Sequence, residues 1–147
     1  MKLSPITNKD SVDSPYTGIC SFFKTEIASE FKPLNPVPHL AMIGVPYDMG
    51  TTARSGTRLG PRGIREASTL LSDGLQGAYN PERNETYMNS NYRLIDYGDV
   101  DIIHGDVEKS FTNIEYAIST IASGGAIPVT IGGDHSITIP VLQALKM

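Results

Sequence analysis

The sequence has no long apolar run, only one cysteine and no block of basic residues, and each of these absences excludes a class of protein. No segment approaches the roughly 18 consecutive apolar residues of a membrane-spanning helix, and the N-terminus lacks the apolar core of a signal peptide. Cys20 alone cannot form an intrachain disulfide, so we expect an incidental thiol in a reducing compartment. The 12 Lys and Arg residues are scattered, which argues against nucleic-acid or membrane partners. We therefore expect a cytoplasmic protein.

Three segments have the character of β-strands. Residues 39–45 are almost continuously apolar, which is typical of a parallel strand covered on both faces. Residues 92–97 and 126–131 predict two further strands, the second by its alternation of apolar and polar residues. The 147 residues suffice for one ordinary domain, and a helical pattern follows each strand. This alternation predicts an α/β fold with a parallel sheet and helices on both faces.

Helix signals follow each of the predicted strands. Pro61 suits the first turn of a helix, and Gly74 marks its expected stop. Asp106 is placed to cap a second helix, which the glycines at 124–125 end. A third helix is expected to begin between residues 136 and 140. The predicted apolar face of the first helix consists of Ile64, Ala67, Ser68 and Leu71.

The pattern predicts two parts and an unfinished sheet. Residues 1–38 are expected to form an extension that packs on the domain surface or on a neighbouring subunit, and residues 39–147 to form the domain. The polar connection over 72–92 is long enough to be functional or disordered. Three strands would leave an open sheet edge and an uncovered apolar face. We therefore expect either a fragment or a domain whose remainder lies on another chain.

The segment 132–136, Gly-Gly-Asp-His-Ser, follows the third strand, at the end of the sheet where α/β proteins bind ligands. His135 has two interpretations, a metal ligand or a histidine with ordinary hydrogen bonds. Asp134 has three: a second ligand, a carboxylate that orients the imidazole, or a turn residue that caps its own backbone.

Two further polar groups have a functional and a structural interpretation. Acidic residues and one histidine follow the second strand, and for them a solvated turn is favoured over a carboxylate site. Arginines interleaved with glycines follow the first strand; we favour tight turns, with Arg65 bound to carbonyls or a carboxylate, over an anion cradle. His39 is expected to be structural. The first group is Asp96, Asp99, Asp101 and His104, and the second is Arg54, Arg58, Arg62 and Arg65.

Taken together, three ordered motifs resemble the ureohydrolase (arginase/agmatinase) family. Residues 44–65 resemble its first signature, and their Gly-Thr-x-x-Arg-x-Gly-x-Arg-x-Gly-Pro form is similar to the agmatinase and guanidino-acid branch. Residues 97–99, Tyr-Gly-Asp, and the segment 132–136 follow in the family's order. The resemblance covers roughly residues 40–147 and implies a three-layer α-β-α, arginase-like fold, incomplete in this chain.

The resemblance implies two manganese ions at the strand ends, with His135 as one ligand and Asp134 in support. The family's remaining ligands lie in later Asp-x-His-x-Asp and Asp-x-Asp-x-x-Asp-Pro motifs, which this sequence lacks, as it lacks the later catalytic residues. The implied activity is hydrolysis of a linear guanidino compound to an amine and urea through a metal-bridging hydroxide. Agmatine is the leading substrate and guanidinobutyrate the next, which suggests polyamine biosynthesis.

Two alternatives to a self-sufficient enzyme remain at this point. The chain is either a non-catalytic or truncated ureohydrolase fragment, inactive alone, or an α/β domain that binds an anion or nucleotide through its arginines. The expected partners are a small guanidino substrate and either further copies of the chain, as a homo-oligomer, or the remainder of the ureohydrolase domain.

Overall fold

A computed structural model describes residues 14–71, 77–87 and 91–146, and these form an α/β unit around a four-stranded sheet. The spatial order of the sheet is β1-β5-β2-β6, and each neighbouring pair is parallel. A separate antiparallel hairpin joins β3 to β4. The strands are β1 (Glu26–Ile27), β2 (Leu40–Val45), β3 (Ala78–Asn80), β4 (Glu85–Tyr87), β5 (Leu94–Asp99) and β6 (Ile127–Gly132). The predicted α/β class and parallel sheet are confirmed.

Helices cover both faces of the sheet, because the central strands are apolar on both sides. Buried residues of α2 and α3 pack against one face, where Ile43 and Ile95 are fully buried. On the other face, α1 and the turn at Phe22–Lys24 lie over Met42 and Leu94. The helices are α1 (Gly60–Ser68), α2 (Val107–Ser123) and α3 (Thr138–Ala144). No helix in the described ranges is long and apolar enough to cross a membrane.

The predicted ends of α2 and the predicted start of α3 are confirmed, but of the predicted face of α1 only Ser68 is buried. Asp106 caps α2 by accepting a hydrogen bond from the Lys109 N–H, and α3 begins within the predicted interval. In α1, however, Ile64 is 46% exposed, and Leu71 just beyond the helix is 73% exposed. The residues that α1 buries are Pro61, Arg65 and Ser68. The cause is a buried ion pair between Arg65 and Asp96 beneath the helix. The expected stop at Gly74 lies outside the described residues.

Three short strands were not predicted from the sequence. β1 has only two residues, and both strands of the β3–β4 hairpin are largely exposed, so neither gives a periodic apolar signal. The hairpin occupies part of the predicted 72–92 connection. β1 lies within the predicted extension over 1–38 and pairs with β5, and Phe22 before it is fully buried. The division at residue 38 stays a prediction.

Candidate functional site

The carboxyl ends of β2 and β6 are joined by close backbone contact. Gly133 has φ +94°, and a Cβ there would lie 2.5 Å from the carbonyl oxygens of both Val45 and Tyr47. Only glycine fits at such a position. The turn after β6 therefore lies directly against the start of the loop that follows β2.

Asp134 caps the turn that contains His135. One carboxylate oxygen, Oδ1, accepts the Ser136 N–H at 2.9 Å and also the Ser136 hydroxyl, while Oδ2 accepts the Gly50 N–H at 2.7 Å. The Asp134 N–H donates to the Tyr47 carbonyl at 2.8 Å. The capping interpretation of Asp134 is thus confirmed. No hydrogen bond within the described residues joins its carboxylate to the His135 imidazole.

The loop over 46–60, which follows β2, is closed by a buried carboxylate. Asp48 is 4% exposed and forms a two-point contact with Arg58, at 2.7 Å to Nη2 and 2.8 Å to Nε. The Gly56 N–H donates to the same carboxylate at 2.8 Å. The hydrogen bond from Arg58 lowers the pKa of Asp48, with the Gly56 N–H adding to the effect. This loop therefore has a defined internal structure at the carboxyl end of β2.

Tyr47 anchors the beginning of the same loop. Its side chain is 2% exposed, and its ring packs 5.5 Å from that of Phe111 on α2. Burial raises the pKa of the Tyr47 hydroxyl, and the negative charge of Asp134 raises it further. The loop is thereby attached both to α2 and to the turn after β6.

Arg65 forms the principal buried ion pair of the chain's described part. Its guanidinium donates to both oxygens of Asp96, at 2.9 and 3.0 Å, to Asp99 Oδ1 at 2.6 Å, and to the Gly98 carbonyl. It also lies 4.5 Å from the centre of the Phe22 ring. Burial opposes the charge of this arginine, but the two carboxylates outweigh burial and raise the pKa of Arg65. The carboxylate interpretation of Arg65 is confirmed.

The favoured interpretation of the acidic group as a solvated turn is wrong for Asp96, which is 2% exposed. Its charge is buried because Arg65 neutralises it, and the Phe22 and Gly98 N–H groups donate to it as well. Asp101 and His104 are exposed on the loop before α2. Because Arg58 and Arg65 are both engaged by carboxylates, the anion-cradle interpretation loses two of its four arginines.

His39 lies at the opposite end of the sheet from His135. Its Nδ1 accepts the Arg93 N–H at 3.0 Å, and its ring meets that of Tyr92 edge-on. The structural interpretation of His39 is confirmed.

The Arginase family model matches residues 38–147. The chain belongs to the arginase family. Human mitochondrial guanidino acid hydrolase is 38% identical over 128 residues, which are 87% of this chain and 34% of that protein. A hypothetical agmatinase from Burkholderia thailandensis has a TM-score of 0.74 at 31% identity, over 90% of this chain and 39% of that one. A Trypanosoma cruzi formiminoglutamase structure with Mn²⁺ has a TM-score of 0.59 at 28% identity, over 74% and 35% of the two chains.

These comparisons confirm the family resemblance and the partial arginase-like fold. The chain spans about a third of the length of the human relative, 34%, and somewhat more of the agmatinase structure, 39%. The names of the three relatives give three different substrates. The comparisons therefore identify the family of this chain but not its substrate.

In this arginase-family chain, His135 is exposed on the turn after β6, at the predicted end of the sheet. Its role as a manganese ligand stays a prediction. In the described ranges, no three His, Cys, Asp or Glu side chains lie close enough to hold a metal ion. The described residues thus do not form a metal centre by themselves, and they offer one histidine where the family resemblance implies one.

The roles of Asp48 and Gly50, which hold the loop over 46–60 in place beside the His135 turn, were not predicted from the sequence. Asp48 pairs with an arginine ten positions later in an irregular loop, and Gly50 contacts a residue 84 positions away. Neither spacing belongs to a helical or strand period. The one available signal was the presence of an acidic residue, Asp48, in a loop with several arginines.

Proposed function

We propose that this chain contributes to a metal-dependent amidinohydrolase, in which a linear guanidino compound and water give an amine and urea. The match of residues 38–147 to the Arginase family carries this proposal. The position of His135 supports it, because the histidine lies at the carboxyl end of a parallel sheet, beside a structured loop.

We propose His135 as one manganese ligand. Manganese suits a site rich in carboxylates that also contains a few imidazoles, and a T. cruzi relative was determined with Mn²⁺. A divalent ion in such a site lowers the pKa of bound water toward neutrality. The described residues offer no three-ligand group, so further ligands for the ion would have to come from outside them.

We propose that the loop over 46–60 contributes to substrate preference. It is held beside the His135 turn by Asp134, and its tip residues, 51–55, are mostly exposed. Agmatine is the leading candidate substrate and guanidinobutyrate the next. The human relative's name favours a guanidino acid and the B. thailandensis name favours agmatine, so both compounds belong in the test.

The alternative is a chain that is catalytically inactive alone, either as a fragment or as a non-catalytic partner. Two observations favour it: the described residues contain no three-ligand group, and the chain spans 34% of the human relative. Assembly as a homo-oligomer, a role in polyamine biosynthesis and a cytoplasmic location stay predictions; the human relative's name places that protein in mitochondria.

Manganese binding and urea release test the proposal together. In the full-length protein we expect Mn²⁺ binding in a calorimetric titration, and His135→Ala to weaken that binding about tenfold or more. His39→Ala is the matched control, because that histidine lies at the other end of the sheet. Unchanged Mn²⁺ affinity in His135→Ala would remove this ligand from the proposal.

Urea release separates the two functional alternatives. The substrates to compare are agmatine, guanidinobutyrate and arginine, each with saturating Mn²⁺. Turnover of a guanidino compound by this chain contradicts the inactive-fragment alternative. Binding of Mn²⁺ without urea from any of the three supports it.

A further inference from the structure

The turn after β6 and the loop over 46–60 are joined by a reciprocal contact at one residue. The Asp134 N–H donates to the Tyr47 carbonyl, and the Asp134 carboxylate accepts the Gly50 N–H at 2.7 Å. The same carboxylate caps the turn through the Ser136 N–H at 2.9 Å. One side chain therefore connects the turn that contains His135 to the loop proposed to face the substrate.

The fit around this contact is tight from the side of the loop as well. A Cβ at Gly50 would lie 3.0 and 3.1 Å from the two Asp134 oxygens and 2.8 Å from the Ser136 hydroxyl. A methyl group at Gly50 would therefore displace either these side-chain oxygens or the Gly50 backbone from their present positions. A hydrogen bond to a charged acceptor is also roughly twice as strong as a neutral one.

Because the loop is structured internally, a contact at Gly50 fixes more than Gly50 itself. Asp48, two residues earlier, holds Arg58 and the Gly56 N–H across the loop. A displacement at Gly50 is therefore expected to move the exposed loop tip as a unit.

We propose that Asp134 is a positioning residue that holds the 46–60 loop against the His135 turn and so sets where a guanidino substrate lies relative to His135. This inference rests on the proposed function. Displacing a bound substrate by about 1 Å can cost roughly 100-fold in rate, so a loop anchor of this kind acts on catalysis without touching the reacting atoms.

Two variants break the contact from opposite sides, and a third is the control. Asp134→Asn replaces one carboxylate oxygen by an NH2 group, so either the Ser136 donors or the Gly50 N–H would face a donor. Gly50→Ala keeps the carboxylate and places a methyl group in the contact. Ser136→Ala removes the hydroxyl that donates to the same carboxylate and retains the Gly50 contact.

The first measurement is independent of activity. Trypsin cuts after the exposed Arg54 at the loop tip, so its cleavage rate there reports how well the loop is held. We expect cleavage to accelerate roughly tenfold in Asp134→Asn and Gly50→Ala, with little change in Ser136→Ala. The double variant should cleave no faster than the faster single variant, because both changes break one contact.

The second measurement separates substrate from metal in the full-length protein. Mn²⁺ titrations report on the metal, and urea release reports on the substrate. In Gly50→Ala we expect kcat/KM to fall roughly 10- to 100-fold, with Mn²⁺ affinity within about threefold of the original protein. A merely structural role in the turn would instead weaken Mn²⁺ binding and leave the loop protected.

Equal effects of Ser136→Ala and Gly50→Ala, or an unchanged cleavage rate in Gly50→Ala, would overturn the proposal. If Asp134→Asn fails to fold, Gly50→Ala decides alone. If the unmodified protein releases no urea while Gly50→Ala still frees the loop, the proposed function fails and the loop attachment stands.

Discussion

At the scale of single residues, α1 packs on the sheet through a buried arginine, where most helices have an apolar side chain. Arg65 is 8% exposed and carries its charge into the space between α1 and β5 because Asp96 and Asp99 meet it there. Its planar guanidinium donates four hydrogen bonds, to both oxygens of Asp96, to Asp99 and to the Gly98 carbonyl, whereas an ammonium group has only three N–H donors.

Removing this guanidinium should therefore destabilise the protein strongly. In Arg65→Met, Asp96 keeps its two backbone hydrogen bonds but its buried charge has no opposite charge beside it, and we expect the free energy of unfolding to fall by about 3–5 kcal/mol. Arg65→Lys should lose less, because it keeps the charge. The measurement is urea denaturation, with Arg62→Met, an exposed change in the same helix, expected within about 0.5 kcal/mol of the original protein. Similar losses in both Met variants would show that the ion pair contributes little.

At the scale of elements, α1 lies close to the sheet because Gly44 of β2 has no side chain. A Cβ at Gly44 would lie 1.8 Å from Asp99 Oδ1 and 2.8 Å from Pro61 Cβ. The strand position thus makes room both for the start of α1 and for the carboxylate that binds Arg65. At Gly63, inside α1, an added Cβ would meet nothing within 4 Å.

Alanine at these two glycines should have opposite effects on stability. Gly44→Ala overpacks the contact between β2 and α1, and we expect a loss of about 1–3 kcal/mol. Gly63→Ala adds helix propensity at an open position and should gain about 0.5–1 kcal/mol. Thermal unfolding of the two variants checks the pair. A stabilised Gly44→Ala would mean that α1 does not pack on β2 as described.

The strands and helices that the sequence predicted are those with a local signal: an apolar run, an apolar period, or a cap or proline at a helix end. Residues 39–45 and the α2 cap at Asp106 carry local signals, and both were correctly placed. The face of α1 was misassigned because a buried ion pair is invisible to apolar periodicity when its partner, Asp96, lies 31 residues away. For the same reason the position of His135 was predictable from its strand, while the contact between Asp134 and Gly50 was not.

At the scale of the whole molecule, the described sheet is open, with β1 and β6 as its two edge strands. Within the described residues, β6 pairs only with β2, so its other edge presents unpaired backbone groups. In and just after α3, the side chains of Ile139, Leu142 and Leu145 are 54%, 55% and 47% exposed. Because these residues are three apart, neighbouring side chains of the set lie close together on the helix. Within the described residues, both the β6 edge and these apolar side chains are uncovered.

A chain of these 147 residues should therefore self-associate as its concentration rises. We expect sedimentation velocity to show growing species over roughly the micromolar to millimolar range, where exposed apolar surface and strand edges drive association. The double variant Ile139→Lys, Leu142→Lys should reduce association and keep the far-ultraviolet circular dichroism unchanged. Leu70→Lys is the matched control: its side chain is 72% exposed, yet it follows α1 on the opposite face of the sheet. If Leu70→Lys reduced association as much as the double variant, general surface charge rather than the β6 and α3 surface would be the cause.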